Sequence, residues 1–421
     1  MSTKAFRSKR RSMDVKKPEL VAPSGDWSSL YSAVASGADA VYFGIKGMNM
    51  RDTASNFDIL ELSRLMDFLR SEGRKGYLAL NVIVYENELK KVKRILEAAL
   101  ESGVDAVILW DMSVLSMARD LGLRIHLSTQ ASVSNFRALK TYCSLGVKRA
   151  VLARECTLSD IREMIRGIRE EKIDCGIETF IHGAMCVSVS GRCFLSHHSF
   201  GKSSNRGQCI QPCRREFTIS DADPVSEEGC EYVLGKDYIL STKDLCTIGF
   251  LDRMIESGID AFKIEGRMRP PEYVRTVTSV YREAIDSFFE GKFTETLKED
   301  LLGRLRQSFN RGFDDGFYFG APDEPGEANQ KGYEKVYLGE VVKFYKKIGV
   351  AEVLIRREAL MPGQKILVTG NRTPASFAEV SEMQIEHKTV DFAGKGMSVG
   401  VKLPFAARPK DKVYLWQPVD F

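Results

Sequence analysis

The sequence predicts an α/β protein: a (β/α)8 barrel of the TIM type with a cysteine-rich insertion and a small C-terminal β-barrel-like module. Three observations predict this architecture. Eight short apolar runs alternate with amphipathic helical periods over the first two-thirds of the 421 residues. A Ser-Gly-x-Asp-Ala phrase recurs before three of those runs. After a Pro/Gly/Glu-rich linker at 321–332, the pattern changes to short β-like runs.

Eight candidate strands carry the barrel prediction. They are mostly continuous apolar runs, as expected of parallel strands buried on both faces, at 19–22, 40–43, 76–80, 106–110, 124–127, 149–153, 177–181 and 261–264. The recurring phrase, at 36–40, 102–106 and 257–261, places a glycine where a helix can end in a left-handed cap, directly before the next strand. Eight strands in this repeating order favour a closed barrel over an open sheet.

The same pattern divides the chain into segments. We expect a disordered basic tail at 1–17, a catalytic barrel at 18–320 with an insertion at 184–250, and a β module at 333–421. The tail lacks the apolar stretch of a secretory signal, and no run is long enough to cross a membrane, so we expect a cytoplasmic protein without membrane contact. The tail is a solvated segment or, alternatively, a tether for phosphate backbones.

The charge of the chain leaves its partner open. The formal net charge of +4 permits an RNA partner without requiring one, because basic residues must be clustered to attract phosphates. In the C-terminal module, the basic and aromatic stretch 343–347 suits RNA binding, although lysines that protect a strand edge give the same pattern. Truncation after Gly320 is therefore expected to weaken RNA binding.

Polar residues collect at the carboxyl ends of the predicted strands. Chemistry takes place at this end of a TIM barrel. The candidate site residues there are Gln130, Arg154, Glu178, His182, Lys263, Glu265 and Arg267. A further polar segment, 51–56, follows the second strand. A barrel with only a structural role would not need so many ionisable groups at one rim.

Three of these residues are cations that suit an anionic substrate. Arg154, Lys263 and Arg267 are candidates to hold a dicarboxylate or RNA phosphates, because the guanidinium fork matches the geometry of a carboxylate. Gln130 and Glu265 are predicted to bind substrate beside them. Salt bridges within the rim, for example with Glu265, are the alternative interpretation for each cation.

Four of the nine cysteines lie close together in the predicted insertion: Cys186, Cys193, Cys209 and Cys213. In a chain without a secretory signal, clustered cysteines are more often metal ligands than disulfides. Four thiolates can hold zinc or a [4Fe–4S] cluster, and the wide spacing of the first pair favours the cluster. Cys246 is an alternative fourth ligand, and the remaining cysteines are interpreted as structural.

The segment 178–193, Glu-Thr-Phe-Ile-His-Gly-Ala-Met-Cys-Val-Ser-Val-Ser-Gly-Arg-Cys, resembles the signature of the collagenase-like "unassigned peptidase" family thirty-two. Further matches lie at 126–130, 204–209, 243–245, 263–268 and 309–313. The resemblance covers roughly residues 18–320 and, less specifically, the C-terminal module.

The resemblance implies oxidative RNA chemistry. Better-understood members of the family look like oxygen-independent hydroxylases with an iron–sulfur cluster on four cysteines. Some hydroxylate the tRNA wobble uridine in a route that uses prephenate, a relative modifies a cytidine of ribosomal RNA, and others act on the ubiquinone ring. Length and the single β module are similar to the tRNA branch, whereas the phrase around Cys246 is closer to the ribosomal RNA branch. We expect RNA as substrate, tRNA before rRNA, and a protein of the same family is a candidate partner.

Two other functions remain open. A peptidase is one, although the chain contains neither an HExxH helix nor a G-x-S-x-G elbow. Cys186 and His182, four residues apart, could form a catalytic dyad, but one sulfur would then serve as both nucleophile and cluster ligand. In the hydroxylase, Glu178 and His182 are instead candidate proton carriers; the alternatives are a paired carboxylate of the barrel interior and a histidine bonded to backbone. The second function is a non-catalytic RNA-binding scaffold, against which the ionisable rim argues.

Overall fold

The computed structural model describes residues 15–215, 238–322, 325–326 and 330–419. Most of the predicted basic tail, residues 1–14, lies outside this description, as does Cys230. At the end of the tail, Lys17 forms a 2.8 Å ion pair with Asp286.

Eight parallel strands close into a barrel. Up to residue 322, the described strands are β1 (Glu19–Ser24), β2 (Ala40–Gly44), β3 (Lys75–Ala79), β4 (Ala106–Leu109), β5 (Ile125–Leu127), β6 (Val147–Val151), β7 (Gly176–Ala184), β8 (Tyr238–Thr242), β9 (Asp244–Cys246), β10 (Ala261–Ile264) and β11 (Phe313–Asp314). Strands β1 to β7 pair in chain order, and β10 pairs with both β7 and β1, which closes the ring. Each predicted run overlaps one barrel strand, so the predicted (β/α)8 barrel is confirmed.

Helices alternate with these strands and cover the barrel. They are α1 (Trp27–Ala35), α2 (Leu62–Ser71), α3 (Leu89–Glu101), α4 (Met112–Asp120), α5 (Phe136–Ser144), α6 (Leu158–Glu170), α7 (Leu195–Phe200), α8 (Leu251–Glu256), α9 (Pro271–Phe289) and α10 (Glu295–Arg306). The apolar stripe of α3 is buried at Val92, Ile95, Leu96 and Ala99, as its spacing predicts. In the described part of the chain, none of the helices combines the length and the apolarity needed to span a bilayer.

The recurring Ser-Gly-x-Asp-Ala phrase has two structural roles. Its glycines, Gly37, Gly103 and Gly258, have φ values of +85°, +69° and +83°, which confirms the left-handed turn after each helix. Its aspartates accept a hydrogen bond from the first residues of a neighbouring strand. The pairs are Asp39 with Leu20 N (2.8 Å), Asp105 with Gly76 N (2.7 Å) and Asp260 with Ile177 N (2.8 Å). The repeat therefore ties adjacent barrel strands together.

This second role predicts a measurable loss of stability. Asp260→Ala is expected to lower the free energy of unfolding by about 1.5 kcal/mol, because Ile177 N loses a charged acceptor. Urea unfolding followed by circular dichroism would measure it. Asp174→Ala, which removes only an exposed 2.7 Å ion pair with Lys148, is the control and should change little. Equal effects of the two substitutions would contradict the role assigned to the repeat.

The C-terminal segment folds as an antiparallel sheet with its own core. Its strands are β13 (Tyr333–Tyr345), β14 (Val350–Ile355), β15 (Lys365–Thr369), β16 (Ser376–Glu379), β17 (Met383–Ile385), β18 (Lys388–Thr389), β19 (Ser398–Lys402) and β20 (Lys412–Pro418), in the spatial order β16-β15-β20-β13-β14-β19-β17-β18. Leu338, Val353, Ile366 and Val401 are among the residues of that core. The predicted β-barrel-like module is thus present as a half-barrel, with three short strands that the sequence pattern did not reveal.

The module contacts the barrel through helix α1. Ser28 Oγ of α1 lies 3.0 Å from Thr369 Oγ1, and Ala375 N donates to Ser32 Oγ at 3.0 Å. In the linker, β12 (Pro325–Gly326) pairs antiparallel with β8. The linker between the barrel and the module therefore pairs with the last part of the cysteine-rich insertion.

Candidate active site

A cavity opens at the carboxyl ends of the barrel strands. It encloses ≈ 1230 Å³, its open mouth included. Residues that follow six of the strands line it, among them Arg51, Asn81, Gln130, Arg154, Met185 and Glu265. The five residues predicted to bind substrate are all at its wall: Gln130, Arg154, Lys263, Glu265 and Arg267.

The predicted metal ligands line the same cavity. Cys186, Cys193, Cys209 and Cys213 all line it and belong to residues 186–213, here called the thiol loop. Backbone N–H groups point at the sulfurs: Ser188 N donates to Cys186 Sγ at 3.4 Å, and Leu195 N to Cys193 Sγ at 3.3 Å. Such donors stabilise thiolates.

The thiol loop is fixed to the barrel rim by its middle segment. Within the loop, Asn205 Oδ1 accepts a hydrogen bond from Cys193 N at 3.1 Å. Arg206 links the loop to the rim, because its guanidinium binds Glu88 at 2.9 Å. Gly207 has a φ of +80°, and a Cβ there would stand 2.1 Å from Asn49 O. Only glycine allows the loop to approach the rim so closely.

The other three thiols of the loop affect the pKa of Cys213. Burial raises the pKa of Cys213, Arg214 lowers it, and Cys186, Cys209 and Cys193 raise it further. Within the described ranges, however, no three His, Cys, Asp or Glu side chains are close enough together to hold a single metal ion. All four thiols nevertheless line one cavity.

Cys246, the alternative fourth ligand, lies elsewhere. It is buried on β9 and is not among the residues that line the cavity. Tyr281 Oη is 3.9 Å from the Cys246 sulfur, and burial raises the pKa of the Cys246 thiol to about 11. Its position favours Cys213 as the fourth thiol of the set.

A charged triad spans the cavity wall. Glu265 lies between Arg51, at 3.1 Å, and Arg154, at 3.2 Å. Burial alone would raise the pKa of Glu265, but Arg51, Arg154 and Arg267 bring it down to about 2. Arg154 also donates to Ala184 O at 3.0 Å and stacks on Phe180 at 4.2 Å. The predicted rim salt bridge of Arg154 is therefore present.

Arg267 differs from its neighbours because it lacks a carboxylate partner. Its side chain is 4% exposed, and no hydrogen bond or ion pair to it is found among the described residues; Nη1 is fully buried. Burial lowers its pKa to about 10. Glu265 offsets part of this charge from beyond ion-pair distance, but a buried guanidinium without a direct carboxylate partner is unfavourable unless an anion binds beside it. Arg267 is thus the cavity's most evident anion-binding group.

Glu178 lies in the barrel interior and does not line the cavity. Its carboxylate binds Lys263 at 2.8 Å and Arg149 at 3.2 Å. Burial alone would raise the pKa of Glu178, but Lys263 and Arg149 hold it below its usual value. Its contacts match the interpretation as a paired interior carboxylate, and the proton-carrier role stays a prediction without support from its position.

His182 also lies away from the cavity. Its Nδ1 is 3.4 Å from Tyr281 Oη, and its ring packs against Phe313 at 5.5 Å. Burial, with a smaller effect of Arg269, lowers its pKa to about 3. The pairing of β7 with β10 shifts register at this point, which explains why His182 does not follow Glu178 and Phe180 along one face.

An amide network and one unpredicted cation complete the wall. Gln130 Oε1 accepts from Ser128 Oγ and lies 3.4 Å from Asn81 Nδ2. Arg51 was not among the predicted site residues, although the polar segment 51–56 that contains it was noted at the rim. Its role became evident only from its contact with Glu265.

Comparison with known families identifies the chain. The sequence profile described as Peptidase family U32 matches residues 25–328. This chain belongs to family U32. It is 38% identical over 419 residues to a protein named collagenase from Porphyromonas gingivalis, covering 96% of this chain and 98% of the relative.

Other U32 relatives have names that refer to RNA. The chain is 37% identical over 330 residues to tRNA hydroxylation protein P1 of Bacillus subtilis, covering 78% of this chain and 75% of the relative. It is 32% identical over 352 residues to a 23S rRNA 5-hydroxycytidine synthase of Escherichia coli, covering 81% of this chain and 52% of the relative.

The geometry of this U32 chain bears on the peptidase hypothesis. No histidine is among the residues that line the described cavity. Cys186 faces that cavity, whereas His182 packs against Tyr281 behind the wall. The hypothetical Cys186–His182 dyad is therefore not assembled, because a nucleophile and its base must be within hydrogen-bonding reach.

Proposed function

We propose that this U32 protein is an iron–sulfur-dependent, oxygen-independent RNA hydroxylase that forms 5-hydroxyuridine at the tRNA wobble position with prephenate as co-substrate. The observation that carries the proposal is a single cavity lined both by four thiols and by a guanidinium, Arg267, that has no ion-pair partner among the described residues. The hydroxylation named for the Bacillus subtilis relative supports the choice of reaction and of tRNA.

The donor set suits an iron–sulfur cluster because it consists of four thiols. Cys186, Cys193, Cys209 and Cys213 all line one cavity. A [4Fe–4S] cluster places its own iron and sulfide between the thiolates, so its ligands lie further apart than those of zinc. When bound, such a cluster supplies one-electron redox chemistry.

The cations suit the carboxylates of prephenate. Arg267 has no anionic partner among the described residues, and Lys263 lines the same wall although it shares its charge with Glu178. We propose that Arg267 binds one substrate carboxylate directly. Glu265 holds Arg51 and Arg154 in place, and its pKa of about 2 keeps it ionised. These residues bind and orient; none of them is assigned a proton transfer.

Anaerobic purification with metal analysis, paired with nucleoside mass spectrometry of tRNA and rRNA from a deletion strain, tests the proposal. We expect iron and acid-labile sulfide in the protein and loss of hydroxyuridine from tRNA in the strain. Loss of hydroxycytidine from rRNA instead would assign the ribosomal alternative that the Escherichia coli relative suggests. Intact nucleosides together with cleavage of gelatin by the purified protein would favour the collagenase-like peptidase. Intact nucleosides without cleavage would favour a non-catalytic RNA-binding scaffold.

The C-terminal module offers a second RNA contact. The stretch 343–347 forms the tip of the β13–β14 hairpin, where Lys343 stands 4.8 Å from the ring of Tyr345. The pairing of β13 with β20 ends at Glu340, so Lys343 to Tyr345 pair with β14 alone, and edge protection stays an alternative role for these lysines. Their role in RNA binding stays a prediction.

That prediction concerns salt dependence. Lys346→Ala/Lys347→Ala is expected to reduce the slope of log affinity for tRNA against log salt by roughly 1.5, because each phosphate contact contributes about 0.7 to 0.9. Fluorescence anisotropy at several salt concentrations would measure the slope. Lys388→Ala/Lys395→Ala, also exposed in the module, is the control. Identical slopes for the two double variants would exclude a specific contact at the hairpin tip.

A further inference from the structure

The outer face of the thiol loop carries positive charge without acidic residues. From 179 to 215 the sequence contains no Asp or Glu. Of the later acidic residues of the insertion, Asp244 is buried and paired with Arg311, and the others lie in 216–237, outside the described residues. Three cations are exposed to solvent here: Arg192 and Lys202 of the loop, and Arg215 two residues after its end. Such a one-sided charge distribution attracts phosphates.

The carboxylates Glu155 and Glu88 of the neighbouring rim form no ion pair with these exposed cations. Glu155 accepts from Ser190 N at 3.0 Å, so it is bound to the backbone of the loop. Glu88 is engaged by Arg206, as described above. The exposed cations of the thiol loop therefore face solvent without a carboxylate partner among the described side chains.

Aromatic rings are exposed among these cations. Phe194 is 65% exposed and Phe200 44% exposed. Phe194 lies at the lip of the cavity, because its chain neighbours Cys193 and Leu195 both line the cavity wall. Arg215 stands 5.0 Å from the ring of Phe200. Exposed rings interleaved with cations are typical of surfaces that bind single-stranded nucleic acid.

The position of Phe194 also meets a requirement of the reaction. A base can reach an enclosed site only after it leaves its stack, and its neighbours then lose a stacking partner. An exposed ring at the cavity lip can replace that partner. We propose that the outer face of the thiol loop binds the single-stranded nucleotides flanking the target base, with Phe194 stacking on one of them; this inference rests on the proposed RNA hydroxylase function.

Two kinds of substitution test the surface. Phe194→Leu keeps an apolar side chain but removes the ring, and we expect roughly tenfold weaker binding of a fluorescein-labelled single-stranded RNA oligonucleotide with an unchanged salt slope. Phe194→Trp should restore binding. Lys202→Ala/Arg215→Ala should instead reduce the slope by about 1.4, because each contact with a single strand contributes about 0.7. Cluster absorbance, recorded for every variant, verifies that the loop remains assembled.

Phe289→Ala is the matched control, since this ring is 41% exposed at the end of α9. It should bind RNA like the wild type. Unchanged RNA binding in both loop variants would overturn the inference while leaving the hydroxylase proposal intact. If the variants keep their RNA affinity but no longer co-purify with a protein that accompanies the wild type, the surface binds a protein instead of RNA. Failure of the wild-type protein to bind any RNA would refute the proposed function itself.

Discussion

Alanine in place of any one of Cys186, Cys193, Cys209 and Cys213 is expected to abolish or clearly alter the visible absorbance of the cluster and to eliminate the hydroxylated nucleoside. Each thiolate holds one corner of a [4Fe–4S] cluster, so the loss of one leaves an iron without its protein ligand. Iron content and absorbance of anaerobically purified variants would measure the first effect. Nucleoside mass spectrometry of RNA from complemented deletion strains would measure the second.

The chain offers three matched controls for this experiment. Cys143→Ala, Cys156→Ala and Cys246→Ala remove thiols that do not line the cavity, and all three variants should keep the cluster. Loss of the cluster in Cys246→Ala together with its retention in Cys213→Ala would show that the fourth ligand is misassigned. Stoichiometric zinc without iron, or full hydroxylation in all four loop variants, would contradict the mechanism.

Arg267→Met is expected to make the protein more stable and inactive at once. Burial lowers the pKa of Arg267 to about 10, which corresponds to roughly 3 kcal/mol of unfavourable burial of its charge. Methionine removes that charge, so the free energy of unfolding should rise by roughly 2 kcal/mol. Prephenate should bind about a hundredfold more weakly, because its carboxylate loses a buried guanidinium whose Nη1 has no hydrogen-bond partner among the described residues. Urea unfolding and calorimetric titration would measure the two effects.

Arg149→Met provides the contrast. Arg149 lies within the barrel and binds Glu19 at 2.7 Å and Glu178 at 3.2 Å. Its removal leaves two buried carboxylates short of a partner, so we expect a loss of about 3 kcal/mol of stability. Destabilisation of Arg267→Met to a similar extent would mean that Arg267 serves the fold instead of an anionic ligand. Normal prephenate binding in Arg267→Met would likewise contradict a role for Arg267 in binding an anionic ligand.

Much of the fold could be predicted because its signals are local. A buried parallel strand must be apolar on both faces, so β2 and its neighbours stand out as continuous runs. A glycine with φ of +85°, such as Gly37, marks the end of a helix in any fold. The short strands β16, β17 and β18 gave no such signal, because two to four residues establish no periodicity.

The site could be predicted only in part, because side-chain direction depends on register. Counting alternate residues along β7 places Glu178, Phe180 and His182 on one face. The register shift opposite Lys263 breaks that alternation, and His182 packs against Tyr281 outside the cavity. Arg51 was missed for a related reason: its role depends on contact with Glu265, which is distant in sequence.

Barrel closure has a consequence for biosynthesis. The ring is completed when β10 inserts between β7 and β1, where Ala261 pairs with both Glu178 and Glu19. All four thiols of the loop precede β10 in the chain, so a ribosome delivers them before the ring can close. During translation the thiols are therefore carried by a nascent sheet with two unpaired edges. Such edges are open to wrong pairing, which makes this interval the one in which the growing chain most needs protection by chaperones.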